Sequence, residues 1–182
     1  HYPLRRQRQM CIRDRDYALG QSGCRWVICA DAFKTSDYHA TLQGLLPGLA
    51  NGQPGALICE RFPELRGVVS LALSPPPGFL AWHALQARAE AVSGEALAAR
   101  QAQLRCDDPI NIQYTSGTTG FPKGATLSHS NILNNGYMVG ESLGLTEHDR
   151  LVVPVPLYHC FGMVMANPVS YTHLTLPTKR IV

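Results

Sequence analysis

Formal charge is scarce in this sequence: Asp, Glu, Lys and Arg make up 16% of its 182 residues, against roughly 25% in an average soluble domain. Apolar residues at 45% exclude disorder of the whole chain, which needs low hydropathy and high net charge. They point instead to elements buried on two faces. No C-x-x-C pair occurs among Cys11, Cys24, Cys29, Cys59, Cys106 and Cys160, so neither a zinc site nor a disulfide framework is legible, and a reducing compartment is the default. No apolar stretch follows Arg5-Arg6, which excludes an ordinary secretory signal. The uncharged stretch from Leu151 to Thr178 is interrupted by Pro154, Pro156, Asn167, Pro168 and the polar Tyr158-His159 pair, which argues against a transmembrane span. No internal repeat of the kind that builds solenoids is visible. The formal net charge of +3 belongs to the ends: residues 1–15 hold five Arg against one Asp, and Lys179 and Arg180 lie near the other terminus, so residues 16–168 carry −3. The interior therefore offers no electrostatic case for nucleic acid as a partner.

The length is that of about one domain, and between the two ends strand-like and helical runs alternate. Arg25 to Asp31 reads as a strand entering a turn. Thr35 to Leu46 reads as a helix capped by Thr35 or Ser36, with Tyr38, Leu42, Leu45 and Leu46 on one side. A Gly/Pro-rich connection from Gly48 to Pro63 leads to a second strand over Leu65 to Leu73, stopped by the Ser74-Pro-Pro-Pro-Gly78 breaker. Two Ala-rich helical pieces follow, Ala81 to Val92 and Glu95 to Leu104. The next strand is Ile110 to Tyr114, introduced by Asp107-Asp108-Pro109, which reads as turn chemistry and not as paired catalytic carboxylates. After a Gly/Thr/Ser loop, Ser128 or Ser130 caps a helix to about Leu143, and Gly136 and Gly140 would let it lie close against a sheet. A strand over Leu151 to Val155 and a helix from Phe161 complete the series. This alternation predicts an α/β fold with a mainly parallel sheet and flanking helices. Trp82 and His83 read as half-buried anchors at a helix start.

The chemistry is concentrated in Tyr114-Thr-Ser-Gly-Thr-Thr-Gly-Phe-Pro-Lys-Gly124. Thr115, Ser116, Thr118 and Thr119 supply hydroxyls, while Gly117, Gly120 and Gly124 let the backbone bend tightly and expose its N–H groups. Such a concave donor array suits a polyphosphate, and Lys123 adds a positive point charge. It is not a Walker A loop, which would need Gly in place of Pro122 and a hydroxyl in place of Gly124.

This run resembles the phosphate-binding signature of the adenylate-forming (AMP-binding) superfamily, which includes acyl-CoA synthetases, luciferases and the adenylation domains of peptide synthetases. Pro156-Leu-Tyr-His159 is similar to a second motif of that family, and Asp108 to Asn135 looks most like the medium-chain acyl-CoA ligase branch of bacteria and mitochondria. The resemblance implies a large N-terminal domain, here partial. It also implies activation of a fatty, medium-chain carboxylate by ATP as an acyl-adenylate, followed by transfer to coenzyme A, with Mg²⁺ accompanying the nucleotide. It assigns Thr115, Ser116, Gly117, Thr118, Thr119, Gly120, Lys123 and Gly124 to nucleotide binding, and Lys123 and His159 to catalysis, His159 orienting the acyl carboxylate. No metal ligands are assigned. Met163 and Met165 could line an acyl tunnel or belong to the core, and Tyr158 reads as packing. A Cys160–His159 nucleophile pair is not expected, because neighbours on a strand point to opposite faces. The alternatives are an adenylation domain serving a carrier protein and a nucleotide-binding module without ligase chemistry. The expected partners are a small carboxylic acid, ATP and coenzyme A, without nucleic acid. The expected location is the cytoplasm, or the mitochondrial matrix of a eukaryote.

The first and last segments, HYPLRRQRQMCIRDR and PVSYTHLTLPTKRIV, show neither period and resemble translated adapter sequence. The sequence is therefore expected to divide into a non-native tail over 1–15, a partial AMP-binding domain over 16–168, and a second non-native tail over 169–182, both tails making few contacts. The loop from Thr115 to Gly124 is expected to join a strand to a helix, without regular structure and with its middle at the surface. A piece of this size is expected to be inactive as a ligase by itself, since the rest of the substrate contacts lie on other sequence.

Overall fold

A computed structural model describes residues 13–115, 122–155 and 159–174. The chain divides into two compact units, His1–Ala102 with Ser116–Lys123, and Gln103–Thr115 with Gly124–Val182.

The first unit opens with helix α1 over residues 13–22 and is organised by a three-stranded parallel sheet. Strand β1 (Trp26–Cys29) pairs with β4 (Gly67–Ser70), which pairs with β5 (Leu80–Ala81), giving the order β1-β4-β5. All four residues of β4 are buried, as a central parallel strand covered on both faces requires. Its expected extent, Leu65 to Leu73, shrinks to the residues that find partners. Between β1 and β4, strands β2 (Ala32–Phe33) and β3 (Ser36–Asp37) form a small antiparallel hairpin. That hairpin consumes Ser36, so helix α2 (Tyr38–Leu45) starts later than expected and is capped by Asp37, whose carboxylate accepts from the Ala40 N–H at 2.8 Å, and not by Thr35 or Ser36. Leu42 and Leu45 of α2 join Leu46, Leu49, Leu57, Phe62, Leu65, Val68 and Phe79 in the core. Leu49, Leu57 and Phe62 come from the connection whose composition looks polar. Helices α3 (Trp82–Ala89) and α4 (Gly94–Gln101) follow β5, and Trp82 is 38% exposed.

Ser70 is the one polar side chain in this interior among the described residues. Its Oγ lies 2.8 Å from His39 Nε2 and accepts from the Ala72 N–H at 3.1 Å, so the hydroxyl is satisfied and ties α2 to the end of β4. The His39 ring in turn packs on Phe79 with centroids 4.7 Å apart.

The second unit contains β6 (Pro109–Thr115), all of β7 (Lys123–Ser128) but its first residue, α5 (His129–Leu143), a π-helical turn (Phe161–Ala166) and α6 (Asn167–His173). Strands β6 and β7 pair as a two-stranded sheet. Gly136 and Gly140 of α5 do bring a neighbour close, but that neighbour is α6 and not a sheet. A Cβ on Gly136 would lie 2.5 Å from Pro168 Cβ, and one on Gly140 would collide with the His173 ring. His173 also reaches Glu141 Oε1 at 3.3 Å and stacks on Tyr137. The expectation of few contacts at the ends therefore fails for residues 169–173, with Val169 only 2% exposed. Residues 13–15 likewise belong to α1, where Arg15 lies over the Tyr38 ring. The expected strand over Leu151 to Val155 is absent. Pro154 removes a donor, and no described strand pairs with this run. Among the described residues no helix is long and apolar enough to cross a membrane.

Replacing Ser70 by Ala strands His39 Nε2 and the Ala72 N–H. The expected loss is about 1–3 kcal/mol, read from urea unfolding of the chain; an unchanged midpoint would show that the bond contributes nothing. Burial, helped by Asp31, pushes the Cys29 thiol up from 9.0 to about 11. Cys29 is therefore expected to alkylate more slowly at pH 8 than the exposed Cys106 and Cys160. Because the folded thiol keeps its proton where the unfolded one loses it, this group leaves stability unchanged below pH 9 and lowers it as pH rises from 9.0 toward about 11.

Candidate functional site

The Gly/Thr/Ser loop is held by what flanks it. Ahead of β6, Asp108 Oδ2 accepts from the Arg105 N–H at 2.8 Å, closing the turn expected at Asp107-Asp108. Behind β7, Ser128 caps α5 in a reciprocal box: its Oγ accepts from the Asn131 N–H at 3.2 Å, and its own N–H donates to Asn131 Oδ1 at 3.0 Å. Ser130, the other candidate cap, bonds the Cys106 carbonyl instead, through its N–H at 2.9 Å and its hydroxyl at 3.0 Å. The turn before β6 and the first turn of α5 are thus fastened to each other.

The loop connects a strand to a strand, not a strand to a helix, because Lys123 and Gly124 already belong to β7. The seven positions 116–122 between the strands are too few for a parallel crossover, which takes a dozen or more residues, so the pair is a hairpin. Thr115 ends β6 and is exposed, and Lys123 begins β7 and is exposed. Ser116, Gly117, Thr118, Thr119 and Gly120 lie outside the described residues, and with them the expectation about the loop's middle. Gly124 faces Ile112 and Tyr114 across the hairpin.

His159 is exposed, and its Nδ1 accepts from the Phe161 N–H at 3.2 Å. In the neutral ring the proton then sits on Nε2, the nitrogen able to donate to a carboxylate. Cys160 Sγ lies 3.7 Å from the same Nδ1. The strand argument that kept these two side chains apart does not apply, since they sit in a bend leading into a helix. Tyr158 and the Met165 side chain lie outside the described residues, and Met163 is 46% exposed. Sequence reasoning did not single out the apolar cavity of about 290 Å³ lined by Val139 and Leu143 of α5, Leu151 to Val155, Phe161, Ala166 and Val169. Its signal in the sequence is the uncharged run through Val155, whose composition reads as a strand. Among the described residues no group of three or more His, Cys, Asp or Glu side chains could hold a metal ion.

Residues 12–174 match the family described as AMP-binding enzyme. The chain belongs to this family. It is 43% identical over 162 residues to a mitochondrial medium-chain acyl-CoA ligase of Bos taurus, covering 87% of this chain and 26% of the relative. Against the ligase of the same name in Homo sapiens it is 43% identical over 153 residues, covering 82% of this chain and 25% of the relative. The chain thus spans about a quarter of the length of these curated relatives. Among solved structures, an anthranilate CoA ligase bound to anthranoyl-AMP aligns with a TM-score of 0.63 at 22% identity, covering 91% of this chain and 28% of the other. An ATP-bound MatB from Rhodopseudomonas palustris aligns with a TM-score of 0.55 at 20% identity, covering 93% and 29%. These likenesses establish the mixed α/β fold expected for an AMP-binding domain.

The Ser128 cap holds the start of α5 directly behind β7 in this AMP-binding chain. Ser128→Ala is expected to cost about 1 kcal/mol, measured by thermal unfolding, with Ser128→Asp retaining most of the stability. Equal losses in both variants would count against the cap.

Proposed function

We propose that the chain is part of an ATP-dependent acyl-CoA ligase that activates a fatty, medium-chain carboxylate and passes the acyl group to coenzyme A. The observation that carries this reading is the run Tyr114 to Gly124 within a family match over residues 12–174. The names of the curated relatives favour coenzyme A over a carrier protein as acceptor.

In the first half-reaction a carboxylate oxygen attacks the α-phosphorus of ATP, and the bond to the bridging oxygen breaks, releasing pyrophosphate. Charge builds on the leaving oxygens, so donors that grip them lower the barrier more than they tighten the ground state. Thr115 and Lys123, exposed at the two strand ends, fit this role, and we assign Ser116, Gly117, Thr118, Thr119, Gly120 and Gly124 to the same cradle. His159 presents Nε2–H to the carboxylate, and Phe161, whose N–H fixes that tautomer, also lines the apolar cavity. An apolar tail beside a carboxylate-orienting imidazole is the arrangement a fatty acid needs. In the second half-reaction the coenzyme A sulfur attacks the acyl carbonyl and AMP leaves. A ligase of this kind works in the cytoplasm or the mitochondrial matrix.

The test uses a full-length enzyme that contains this chain. Lys123→Ala is expected to slow octanoate-dependent ATP–pyrophosphate exchange by a factor of about 10 to 1000, with the KM for octanoate changed less than about twofold. An unaltered exchange rate would refute the role given to Lys123, and absence of exchange by the wild-type enzyme would refute the ligase reading.

A further inference from the structure

We propose that the apolar cavity beside His159 holds the alkyl tail of the carboxylate substrate, and that Val139 on α5 is the residue that sets how long this tail can be. The inference deepens the ligase reading above and rests on it. All the residues that line the cavity of about 290 Å³ belong to the second unit, and every one of them is apolar. Such walls offer nothing to a phosphate group, whose oxygens need donors, and suit a hydrocarbon chain. Leu143, Val152 and Phe161 stay exposed around the cavity, and apolar side chains left open together mark a place that an apolar group covers. Phe161 connects this place to the imidazole: its side chain lines the cavity while its N–H donates to His159 Nδ1 at 3.2 Å. A carboxylate held at that ring thus finds an apolar path for its tail beside it.

Val139 is the part of the wall that can act as a gauge. Val139 and Leu143 are four apart on α5 and stand on one face, a turn from each other. Gly136 and Gly140 lie on the same face and are buried, and a Cβ on Gly136 would lie 2.5 Å from Pro168 Cβ. The helix is seated there against its neighbour, so moving outward to admit a longer tail would break that packing. A valine in a helix keeps a single χ1 rotamer about 90% of the time, which makes its two methyl groups a fixed wall. Leu143, the last residue of α5, is exposed and has more freedom to turn aside. A stiff side chain on a seated helix is what discrimination by length requires, because one methylene too many then meets a wall that does not yield.

The test measures carboxylate-dependent ATP–pyrophosphate exchange by a full-length enzyme that contains this chain, using the straight-chain acids from butanoate to dodecanoate. Val139→Phe fills the cavity and is expected to lower the ratio of kcat/KM for octanoate to that for butanoate about 10- to 100-fold, with the KM for ATP near wild type. Val139→Ala removes bulk without overpacking and is expected to shift the preferred acid about one or two carbons longer. Met138→Phe adds the same bulk at the next position, which is exposed and outside the cavity lining, and is expected to keep the wild-type profile. A ratio between two acids does not depend on the amount of folded enzyme, so a merely structural loss leaves it unmoved. An unchanged profile in both Val139 variants overturns the gauge, as does an equal shift in Met138→Phe. A lower melting temperature for Val139→Phe with an unmoved octanoate-to-butanoate ratio would mean that another segment of the enzyme covers the cavity, and also overturns it. Those outcomes, with exchange by the wild-type enzyme intact, leave the ligase reading standing, whereas absence of wild-type exchange with every acid overturns both.

Discussion

A loop made of glycine and hydroxyl residues has almost no apolar surface to bury, so its geometry has to be imposed from outside. The strands that flank it form a hairpin in which Ile112 and Tyr114 face Gly124. The turn before that hairpin is bonded through Ser130 to the first turn of the following helix. These bonds are individually modest, about 1 kcal/mol each in typical cases, but they act on rigid elements at the loop's two ends. A donor array that must meet developing charge without rearranging needs this kind of support.

The first unit meets a different constraint. A parallel strand covered on both faces cannot present a polar side chain to solvent, so Ser70 at the end of β4 has to find partners inside. It finds His39 on the neighbouring helix and a backbone N–H two residues on. The same surroundings hold Cys29, paired in register with Ser70, as a protonated thiol with its pKa pushed up to about 11. Partial burial thus raises the pKa of one of the scattered cysteines, Cys29, which packs against the core, while Cys160, beside His159, stays exposed. Cysteine count alone could not have separated them.

Much of the architecture was legible in the residues. The parallel sheet, the helix pair after the proline breaker and the helix capped at Ser128 all follow from local pattern, and in each the local preference agrees with the tertiary environment. The misassigned segments are those where a partner decides the outcome. Leu151 to Val155 has the composition of a strand, but a strand exists only through a ladder, and none of the described strands provides one. Gly136 and Gly140 announce a close neighbour without saying which, and the neighbour is α6.

For the candidate site, the sequence by itself determined the run of residue types: eleven ordered residues, Tyr114 to Gly124, supply hydroxyls, glycines and a lysine, because a motif of this kind is defined by residue type and spacing along a short stretch of chain. It also determined the family, for the same reason. Only the tertiary structure decided what surrounds the described residues of that run. That the loop returns into a strand, that Gly124 lies beneath a tyrosine and an isoleucine, and that His159 offers Nε2 while its Nδ1 is engaged are facts about approach between side chains. Such approaches arise from packing and hydrogen-bond geometry in three dimensions, to which spacing along the chain gives no direct access.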